Sequence, residues 1–446
     1  MGGVSRALNN RAEGFKADLP GPSHLRFSQP RIQSSCLIQQ HCLFPARGAM
    51  NNRKLCPSVL TLSALLALLI TGCGGITAPT PAFSAQADAS KFMYAALISP
   101  DSIGALRISG DGSLSPLPGA PFAAPPSPAS IVGNSRFIFV AGFGSVDDQG
   151  FCCHNPTIAT FKQDSGTGSL TQVASIGDAL LDPIRGVTMD PTGRFLYAGN
   201  RNGRGGLDVF AVAEDGHLIQ VGFFDSRLVA LSGPVFNPTG RFLYASTGST
   251  QLGVRGIYRF EIDPQSGLPV DQQEIDTPAI FGVQLSPDGR FLLASEESLS
   301  GFQLCSFRLN PMTGLPEMET VGVFHQPTPV ACIPAGSSPV HIAFPPDGRF
   351  VALAQFGVGG GALPGGVLIY RFEVGNFLPV PNPLFLAHQS AGTATFSADG
   401  KFLFVSGDPG TSSLMNVFAL DEDTGAITPV SGSPFNVGSA MSVLLR

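Results

Sequence analysis

Short apolar strands, each introduced by turn residues, recur along most of this chain. A basic residue, an aromatic residue and a run of apolar residues open the same strand seven times, at intervals of 45 to 59 residues. The seven copies begin at Lys91, Arg136, Arg194, Arg241, Arg290, Arg349 and Lys401. In later strands apolar and polar residues alternate with a period of two, as at Leu207-Asp-Val-Phe-Ala-Val212. This repeat predicts an all-β protein, a seven-bladed β-propeller of four-stranded antiparallel blades.

Two kinds of turn punctuate each repeat. The first precedes the basic–aromatic strand and contains Pro-Thr-Gly or Pro-Asp-Gly, as at Pro191 and Pro346. Proline presets φ at the second turn position, and glycine accepts the left-handed conformation that closes the hairpin. The second turn places glycine before the fourth strand, as in Met312-Thr-Gly-Leu315. These turns predict one hairpin between the first and second strands and another between the third and fourth.

The first repeat lacks a strand before Phe92, whereas the chain ends with the strand-like segment 439–446. We expect this segment to pair with residues 92–96, so that the N- and C-terminal segments share one blade. A ring closed in this way leaves no innermost strand unpaired. Residues 90–446 are therefore predicted to form one propeller domain; two separate β-sandwich domains are the alternative.

An export signal is predicted ahead of the repeats. Residues 51–54 are Asn-Asn-Arg-Lys, an apolar run covers residues 59–70, and Ile70-Thr-Gly-Cys73 follows. The apolar run is too short for a mature membrane span, which needs about 20 residues. Ile70-Thr-Gly-Cys73 resembles a bacterial lipobox, in which the cysteine is acylated. We therefore predict a lipoprotein signal peptide and lipidation of Cys73; an ordinary signal peptide with an incidental cysteine is the alternative.

The segments on either side of the signal are assigned by their composition. Residues 1–49 show no sustained period and precede Met50, which is followed by a complete signal. Met50 is therefore the predicted initiator, residues 50–72 the signal peptide, and residues 1–49 a mis-assigned upstream region. Residues 73–89 are predicted to be a flexible tether. The expected location is the bacterial cell envelope, periplasmic or at the cell surface, with membrane contact only through the lipid.

Composition and charge narrow the possible partners. The chain has 43% apolar and 13% charged residues, which is enough to bury a large core. Without residues 1–72 it retains 18 basic and 30 acidic residues, a net charge of −12. Phosphate backbones attract cationic surfaces, so this charge argues against nucleic-acid binding.

Blade topology indicates where a site would lie. The start of the first strand and the end of the second strand share one face of the ring because the two strands are antiparallel. We call this face the mouth, and the face that carries the Pro-x-Gly turns the turn face. The polar residues expected at the mouth are Arg185, Asn200, Arg201, Glu296, Glu297, His341, Gln355 and Asp408. Each also has a structural interpretation: arginines paired with carboxylates, glutamates as rim charges, and His341 as a hydrogen-bonded residue at a strand start.

One stretch resembles a family signature. Residues 338–350, Ser-Pro-Val-His-Ile-Ala-Phe-Pro-Pro-Asp-Gly-Arg-Phe, resemble the Gly-Pro-Arg-His-x-x-Phe-x-Pro-x-Gly signature of the seven-bladed propeller lactonases. That group includes cycloisomerase-type 6-phosphogluconolactonases and fungal muconate lactonising enzymes, and the resemblance covers residues 90–446. His341 matches the signature histidine, whereas Val340 stands at the arginine and Gln355-Phe356 at the family's Asn-Glu pair. The resemblance implies hydrolysis of a lactone at the central funnel.

Two functional hypotheses follow. In the first, the protein is a lactone hydrolase in which His341 acts as base or orienting group, and Arg185 and Glu297 supply charge from other blades. The residues expected to bind substrate are then Arg201, Asn200, Glu296, Gln355 and Asp408. In the second, a non-catalytic, envelope-anchored propeller binds a small molecule or an envelope protein through the same mouth. Neither hypothesis requires a metal ion or cofactor, and a monomer is expected.

Cysteines supply further constraints. Cys305 is predicted early in a third strand and Cys332 in the loop that leaves the fourth strand of the same blade, so an exported protein is predicted to join them in a disulfide. Cys152-Cys153 is a vicinal pair in the loop 142–156. A vicinal disulfide or a loop staple is the interpretation favoured there, with a metal site as the alternative.

Overall fold

A computed structural model describes residues 91–446 apart from short segments. The segments outside the description are 146–153, 178–183, 201–205, 226–233, 248–255, 276, 278, 299–300, 322–323, 337–338, 356–364, 386–390 and 408–412. The predicted signal, Cys73 and the tether therefore lie outside the described residues, as do Arg201, Asp408 and Cys152-Cys153. Within the described residues, no helix is long and apolar enough to cross a membrane.

Seven antiparallel sheets form the blades. In blades 2 to 7 the strands follow one another in chain order from the innermost strand outwards, whereas the innermost strand of blade 1 is the last strand of the chain. Blade 1 begins with β1 (Phe92–Ile98), β2 (Asp101–Ile108), β3 (Leu114–Pro116) and β4 (Phe122–Ala123). Blade 2 contains β5 (Pro128–Gly133), β6 (Phe137–Gly142), β7 (Thr157–Gln163) and β8 (Leu170–Gly177). Blade 3 contains β9 (Ile184–Met189), β10 (Phe195–Asn200), β11 (Gly206–Val212) and β12 (Leu218–Asp225). Blade 4 contains β13 (Val235–Phe236), β14 (Phe242–Thr247), β15 (Gly256–Ile262) and β16 (Pro269–Ile275).

The remaining blades repeat the pattern with two additions. Blade 5 contains β17 (Ala279–Leu285), β18 (Phe291–Ser298), β19 (Gly301–Arg308) and, after the separate hairpin of β20 (Met318–Val321) and β21 (Phe324–Pro327), β22 (Pro329–Gly336). Blade 6 contains β23 (Pro339–Ala343), β24 (Phe350–Gln355), β25 (Gly366–Glu373) and β26 (Asn376–Phe385). Blade 7 contains β27 (Ala391–Phe396), β28 (Phe402–Gly407), β29 (Leu414–Leu420), β30 (Ile427–Pro429) and the short β31 (Phe435–Asn436), which pairs with β29.

The last strand, β32 (Ala440–Leu445), closes the ring. It pairs antiparallel with β1, with Met93 opposite Leu445 and Ala96 opposite Ser442, and so becomes the innermost strand of blade 1. The innermost strands of successive blades contact one another all the way round, from β32 through β5, β9, β13, β17, β23 and β27 back to β32. The predicted seven-bladed propeller with a shared terminal blade is therefore confirmed.

The repeated sequence residues hold neighbouring blades together. In each blade the glycine of the second turn has a positive φ and lies against the phenylalanine of the preceding blade's basic–aromatic strand, as Gly267 does against Phe195. Tyrosines two residues after this phenylalanine reach the same glycine. Tyr94, Tyr197 and Tyr244 donate hydrogen bonds of 2.6, 2.7 and 2.6 Å to the carbonyls of Gly168, Gly267 and Gly314. The two conspicuous motifs of the repeat are thus the two halves of one contact between blades.

Replacing Tyr244 by Phe tests this contact. Tyr244 is fully buried, so the variant leaves the carbonyl of Gly314 without its partner and should lower the free energy of unfolding by about 1 to 3 kcal/mol. The measurement is urea denaturation of the full chain. Tyr370→Phe is the matched control, because this half-buried hydroxyl has no hydrogen bond within the described residues. Equal losses for the two variants would contradict the assignment.

A disulfide joins Cys305 to Cys332, with 4.1 Å between their Cα atoms. The two residues are directly opposite each other in β19 and β22. Cys332 is therefore inside the fourth strand, not in the loop that leaves it as the sequence had indicated.

Candidate functional site

The innermost strands are bulged at the mouth. In six blades the register between the first and second strands shifts at the same height, where the first strand carries extra residues. Residues at these bulges include Ala129, Arg185, Phe281, Val340 and Met441. Bulges bend a strand and redirect side chains, and they are common at the rims of closed sheets. Arg185 and Val340 therefore occupy equivalent places in blades 3 and 6, at the bulges inside β9 and β23.

Three predicted site residues are described through their backbone only. Arg185 lies at the bulge of β9, and Asn200 ends β10 opposite Ile184. Glu297 lies in β18, opposite Ala279 and Phe302. All three are thus at the mouth end of their strands, while their side chains lie outside the description. Their roles stay predictions.

Glu296 is a buried carboxylate at the mouth end of β18. It is 3% exposed, and its Oε2 accepts a hydrogen bond of 3.2 Å from the amide of Gln303. Its Oε1 is buried with no hydrogen-bond partner within the described residues. Burial disfavours the charged form and raises the pKa of Glu296 to about 7, against the weaker opposing effect of the Gln303 hydrogen bond. This carboxyl is therefore close to half ionised at neutral pH.

Gln355 occupies the same position in the next blade. It ends β24, as Glu296 nears the end of β18, and each lies five residues after the phenylalanine that opens its strand. Gln355 is 2% exposed, and its Nε2 has no hydrogen-bond partner within the described residues. A buried amide donor therefore stands beside the blade that carries the buried carboxylate.

His341 lies in the innermost strand of blade 6, opposite Ala354. Its Nδ1 is buried and unpartnered within the described residues. Burial lowers the pKa of His341 to about 4, and a hydrogen bond to the backbone of Ala394 in blade 7 opposes this only in part. The imidazole is therefore neutral at physiological pH and is a weak proton acceptor.

The three side chains enter successive seams between blades, as strand alternation shows. Leu292 and Ala294, on the same side of β18 as Glu296, pack with blade 4. Val351 and Leu353, on the same side of β24 as Gln355, pack with blade 5. His341 points towards blade 7, where its hydrogen bond to Ala394 is made. The structure thus places all three at the mouth end but in three neighbouring seams, an arc spanning blades 4 to 7.

Two further polar residues of this arc, Gln303 and Ser295, were not predicted from the sequence. Gln303 stands directly across from Glu296 in the register of β18 and β19, and its amide is the donor to the carboxylate. Ser295 is fully buried and its hydroxyl lies 3.3 Å from the carbonyl of Gly282 and 3.4 Å from that of Pro339, which connects blades 5 and 6. Aligning third strands as well as second strands would have indicated Gln303. No local signal in the sequence marks Ser295.

This arc contains buried polar atoms that have no hydrogen-bond partner within the described residues. Buried polar groups are nearly always hydrogen-bonded, so an orphan calls for a water molecule or a ligand. Glu296, Gln355 and His341 supply an acceptor, a donor and a ring nitrogen of this kind. A carboxylate with a pKa near 7 can accept a proton from water, and a neighbouring amide can donate to a developing negative oxygen.

Comparison with known proteins bears on the fold. Neither a protein-family profile nor a curated protein sequence matches this chain. Solved structures do match. A protein of Bacteroides fragilis, described provisionally as a 6-phosphogluconolactonase, is 17% identical; the match covers 81% of this chain and 99% of that one, with a TM-score of 0.60. A protein of Bacteroides uniformis with the same provisional description is 19% identical over 80% of this chain and all of the other, with a TM-score of 0.61.

A third structure carries a more specific name. The periplasmic gluconolactonase of Pseudomonas aeruginosa is 21% identical over 80% of this chain and 99% of its own, with a TM-score of 0.60. The TM-scores demonstrate a common fold, and at identities this low the likeness extends to the fold alone. The chain therefore has the seven-bladed propeller fold of 6-phosphogluconolactonase-like proteins.

Proposed function

We propose that this chain hydrolyses a lactone at the mouth of the propeller, with Glu296 as the general base. The observation that carries the proposal is the arc of buried, unpartnered polar atoms at the mouth, in which one carboxyl has a pKa near 7. The shared fold with a protein named as a gluconolactonase supports the substrate class. Glu296 replaces His341 in the role of base, because a histidine with a pKa near 4 binds a proton too weakly.

The proposed reaction needs one water molecule and no other reactant. As the water oxygen bonds to the lactone carbonyl carbon, the Glu296 carboxylate takes a proton from it, and the carbonyl π electrons move to the oxygen. The tetrahedral oxyanion then re-forms the carbonyl, and the bond from the carbon to the ring oxygen breaks. Glu296 returns its proton to the departing alkoxide, which leaves a hydroxy acid.

Other residues are assigned supporting roles within this proposal. The Gln355 amide donates to the carbonyl oxygen as it becomes negative, the interaction that contributes most in acyl transfer. Neutral His341 orients the substrate by accepting a hydrogen bond at Nδ1. Arg185, Arg201, Asn200, Glu297 and Asp408 remain the predicted charged and polar rim that receives the substrate.

The proposed location is the cell envelope, through export and lipidation at Cys73. The periplasmic location in the name of the Pseudomonas aeruginosa protein supports export. Sugar-phosphate lactones belong to the cytoplasm, so the substrate proposed here is an unphosphorylated lactone met outside it.

The test is turnover of a panel of five- and six-membered sugar lactones by the full chain, followed by acid release. Glu296→Gln keeps the shape of the side chain and removes its basicity, so kcat/KM should fall by at least about 100-fold. Glu214→Gln is the control, because Glu214 is an exposed glutamate in the β11–β12 turn on the opposite face. It should retain wild-type activity.

The outcomes separate the two functional hypotheses. Turnover that survives Glu296→Gln would remove Glu296 as the base, and His341→Ala measured alongside would show whether the histidine takes that role. Absence of turnover on the whole panel would overturn the enzymatic proposal and favour a propeller that binds a ligand or an envelope protein without chemistry.

A further inference from the structure

A cationic cleft lies on the turn face, away from the mouth. It has a volume of about 340 Å³ and sits between blades 1 and 2, where β32 closes the ring. Its lining residues are Lys91, Phe92, Ser135, Arg136, Gln163, Ser165 and Arg446. Three of these are cations and none has a carboxylate side chain.

Blades 5 and 6 provide an internal comparison, because the equivalent cleft there is lined by the equivalent residues. That cleft has a volume of about 170 Å³, and Arg290 and Arg349 hold the places of Lys91 and Arg136. Each arginine has its own carboxylate: Arg290 Nε is 2.6 Å from Asp288, and Arg349 Nε is 2.5 Å from Asp347. Both cations of this cleft are therefore neutralised by carboxylates of their own turns.

The cleft between blades 1 and 2 lacks this neutralisation. Asn134 stands where Asp347 stands in blade 6, and its Oδ1 accepts from the Arg136 N–H just as Asp347 accepts from the Arg349 N–H. The hydrogen bond to the backbone of the turn is thus retained, whereas the negative charge of the aspartate is absent. Within the described residues, neither Lys91 nor Arg136 forms an ion pair.

One carboxylate and one further cation lie near the cleft, and the carboxylate is hydrogen-bonded within its own turn. Asp164, next to the lining residues in sequence, already accepts from the backbone of Gly166 and from both the backbone and hydroxyl of Thr167. Arg446 ends the printed sequence, so its α-carboxyl group also lies at the cleft, where one oxygen accepts from the N–H groups of Lys91 and Phe92, at 2.5 and 2.6 Å. Arg107 adds positive charge beside the cleft, with its guanidinium 5.0 Å from the centre of the Phe92 ring.

The cations are also held in place. The Arg446 guanidinium donates to the carbonyls of Asn134 and Phe137, which fixes it across the seam. The Arg136 guanidinium lies over the Phe137 ring, 5.4 Å from its centre. Ser135, Ser165 and Gln163 add neutral hydrogen-bond donors at the wall. Preorganised guanidinium groups and hydroxyls are the donors that oxyanions prefer.

We propose that this cleft is a binding site for a phosphate-class oxyanion, distinct from the mouth. Three cations against the single α-carboxyl group of Arg446 leave a net charge of about +2 among the lining residues, which a divalent phosphate balances better than a single carboxylate does. The anion is either free phosphate or the phosphate of a lipid headgroup. The second source is included because the predicted tether, residues 73–89, leads directly to Lys91.

The experiment uses the full chain and two probes. Inorganic phosphate is titrated by calorimetry at low ionic strength, and vesicles of phosphatidylglycerol in phosphatidylcholine are compared with phosphatidylcholine alone. Arg136→Gln should weaken binding of the responding probe about tenfold or more, because a charge-assisted hydrogen bond is lost. Arg349→Gln, at the equivalent position of the neutralised cleft, should leave binding unchanged, and circular dichroism verifies that both variants are folded.

The outcomes distinguish a free anion from a lipid headgroup as the ligand and show whether the site exists. Phosphate binding that depends on Arg136 supports the site with a free anion as ligand. A preference for phosphatidylglycerol vesicles that depends on Arg136 supports the site with a lipid headgroup as ligand. Absence of binding to both probes, or equal losses in Arg136→Gln and Arg349→Gln, would overturn the proposal.

Discussion

The rate of lactone hydrolysis is expected to rise with pH, reach half its maximum near pH 7 and then level off. Glu296 must be ionised to accept a proton from water, and burial raises its pKa to about 7. Below this pKa the ionised fraction falls tenfold per pH unit, so kcat/KM at pH 5 should be about 1% of the plateau. The profile is measured after subtraction of spontaneous hydrolysis, which also rises with pH. A midpoint near 4 would point to His341 instead.

Unfolding measurements check the same carboxyl without requiring activity. Its pKa is raised in the folded protein above the ordinary value of 4.5, so between that value and about 7 the folded state binds more protons than the unfolded state. Stability contributed by Glu296 is therefore present at low pH and lost as pH rises through this window, by roughly 3 kcal/mol in all. His341 acts in the opposite sense, since its lowered pKa costs stability as pH falls from 6.5 to about 4. The difference between wild type and Glu296→Gln isolates the carboxyl, and a pH-independent difference would contradict the assignment.

Replacing Gly425 by alanine should destabilise the propeller by about 2 to 5 kcal/mol. Gly425 has a φ of +77°, where an alanine costs about 1 to 2 kcal/mol. A Cβ atom there would overlap the Phe350 ring and lie 2.9 Å from Val380, so the seam between blades 6 and 7 must also move, at a cost of about 1 to 3 kcal/mol. The measurement is the urea midpoint of the full chain.

Gly110 provides the matched control for Gly425. It lies in the β2–β3 turn without a positive φ, and an alanine Cβ there would have no other atom within 4 Å. Gly110→Ala should therefore change stability by less than about 0.5 kcal/mol. Combining Gly425→Ala with Phe350→Leu relieves the clash, and the double variant should lose less than the sum of the single losses. Additive losses would show that contact with the ring is not the cause.

Much of the architecture was predictable because it depends on local patterns. The basic–aromatic strand and the glycine turns recur once per blade. Their spacing fits one four-stranded blade per copy, so the number of copies gives the number of blades. The partner of β1 was also predictable, because an innermost strand without a neighbour leaves unpaired backbone groups that β32 satisfies. The face on which Glu296, Gln355 and His341 lie follows from strand direction.

The chemistry of these residues was decided by contacts between distant parts of the chain. A bulge shifts the pairing of an innermost strand, and alternation then sends Glu296, Gln355 and His341 into different seams, which no local pattern reports. Likewise, Cys332 proved to be inside β22, opposite Cys305.

The sequence by itself thus determined the seven blades, the closure of the ring and the mouth. Periodicity is a property of neighbouring residues, and the first repeat without an innermost strand left the last strand of the chain as its partner. Only the tertiary structure decided that Glu296 is desolvated and that the cations between blades 1 and 2 lack the carboxylates found between blades 5 and 6. Burial and charge balance depend on what the rest of the fold brings to each side chain, and that is set by packing across the seams.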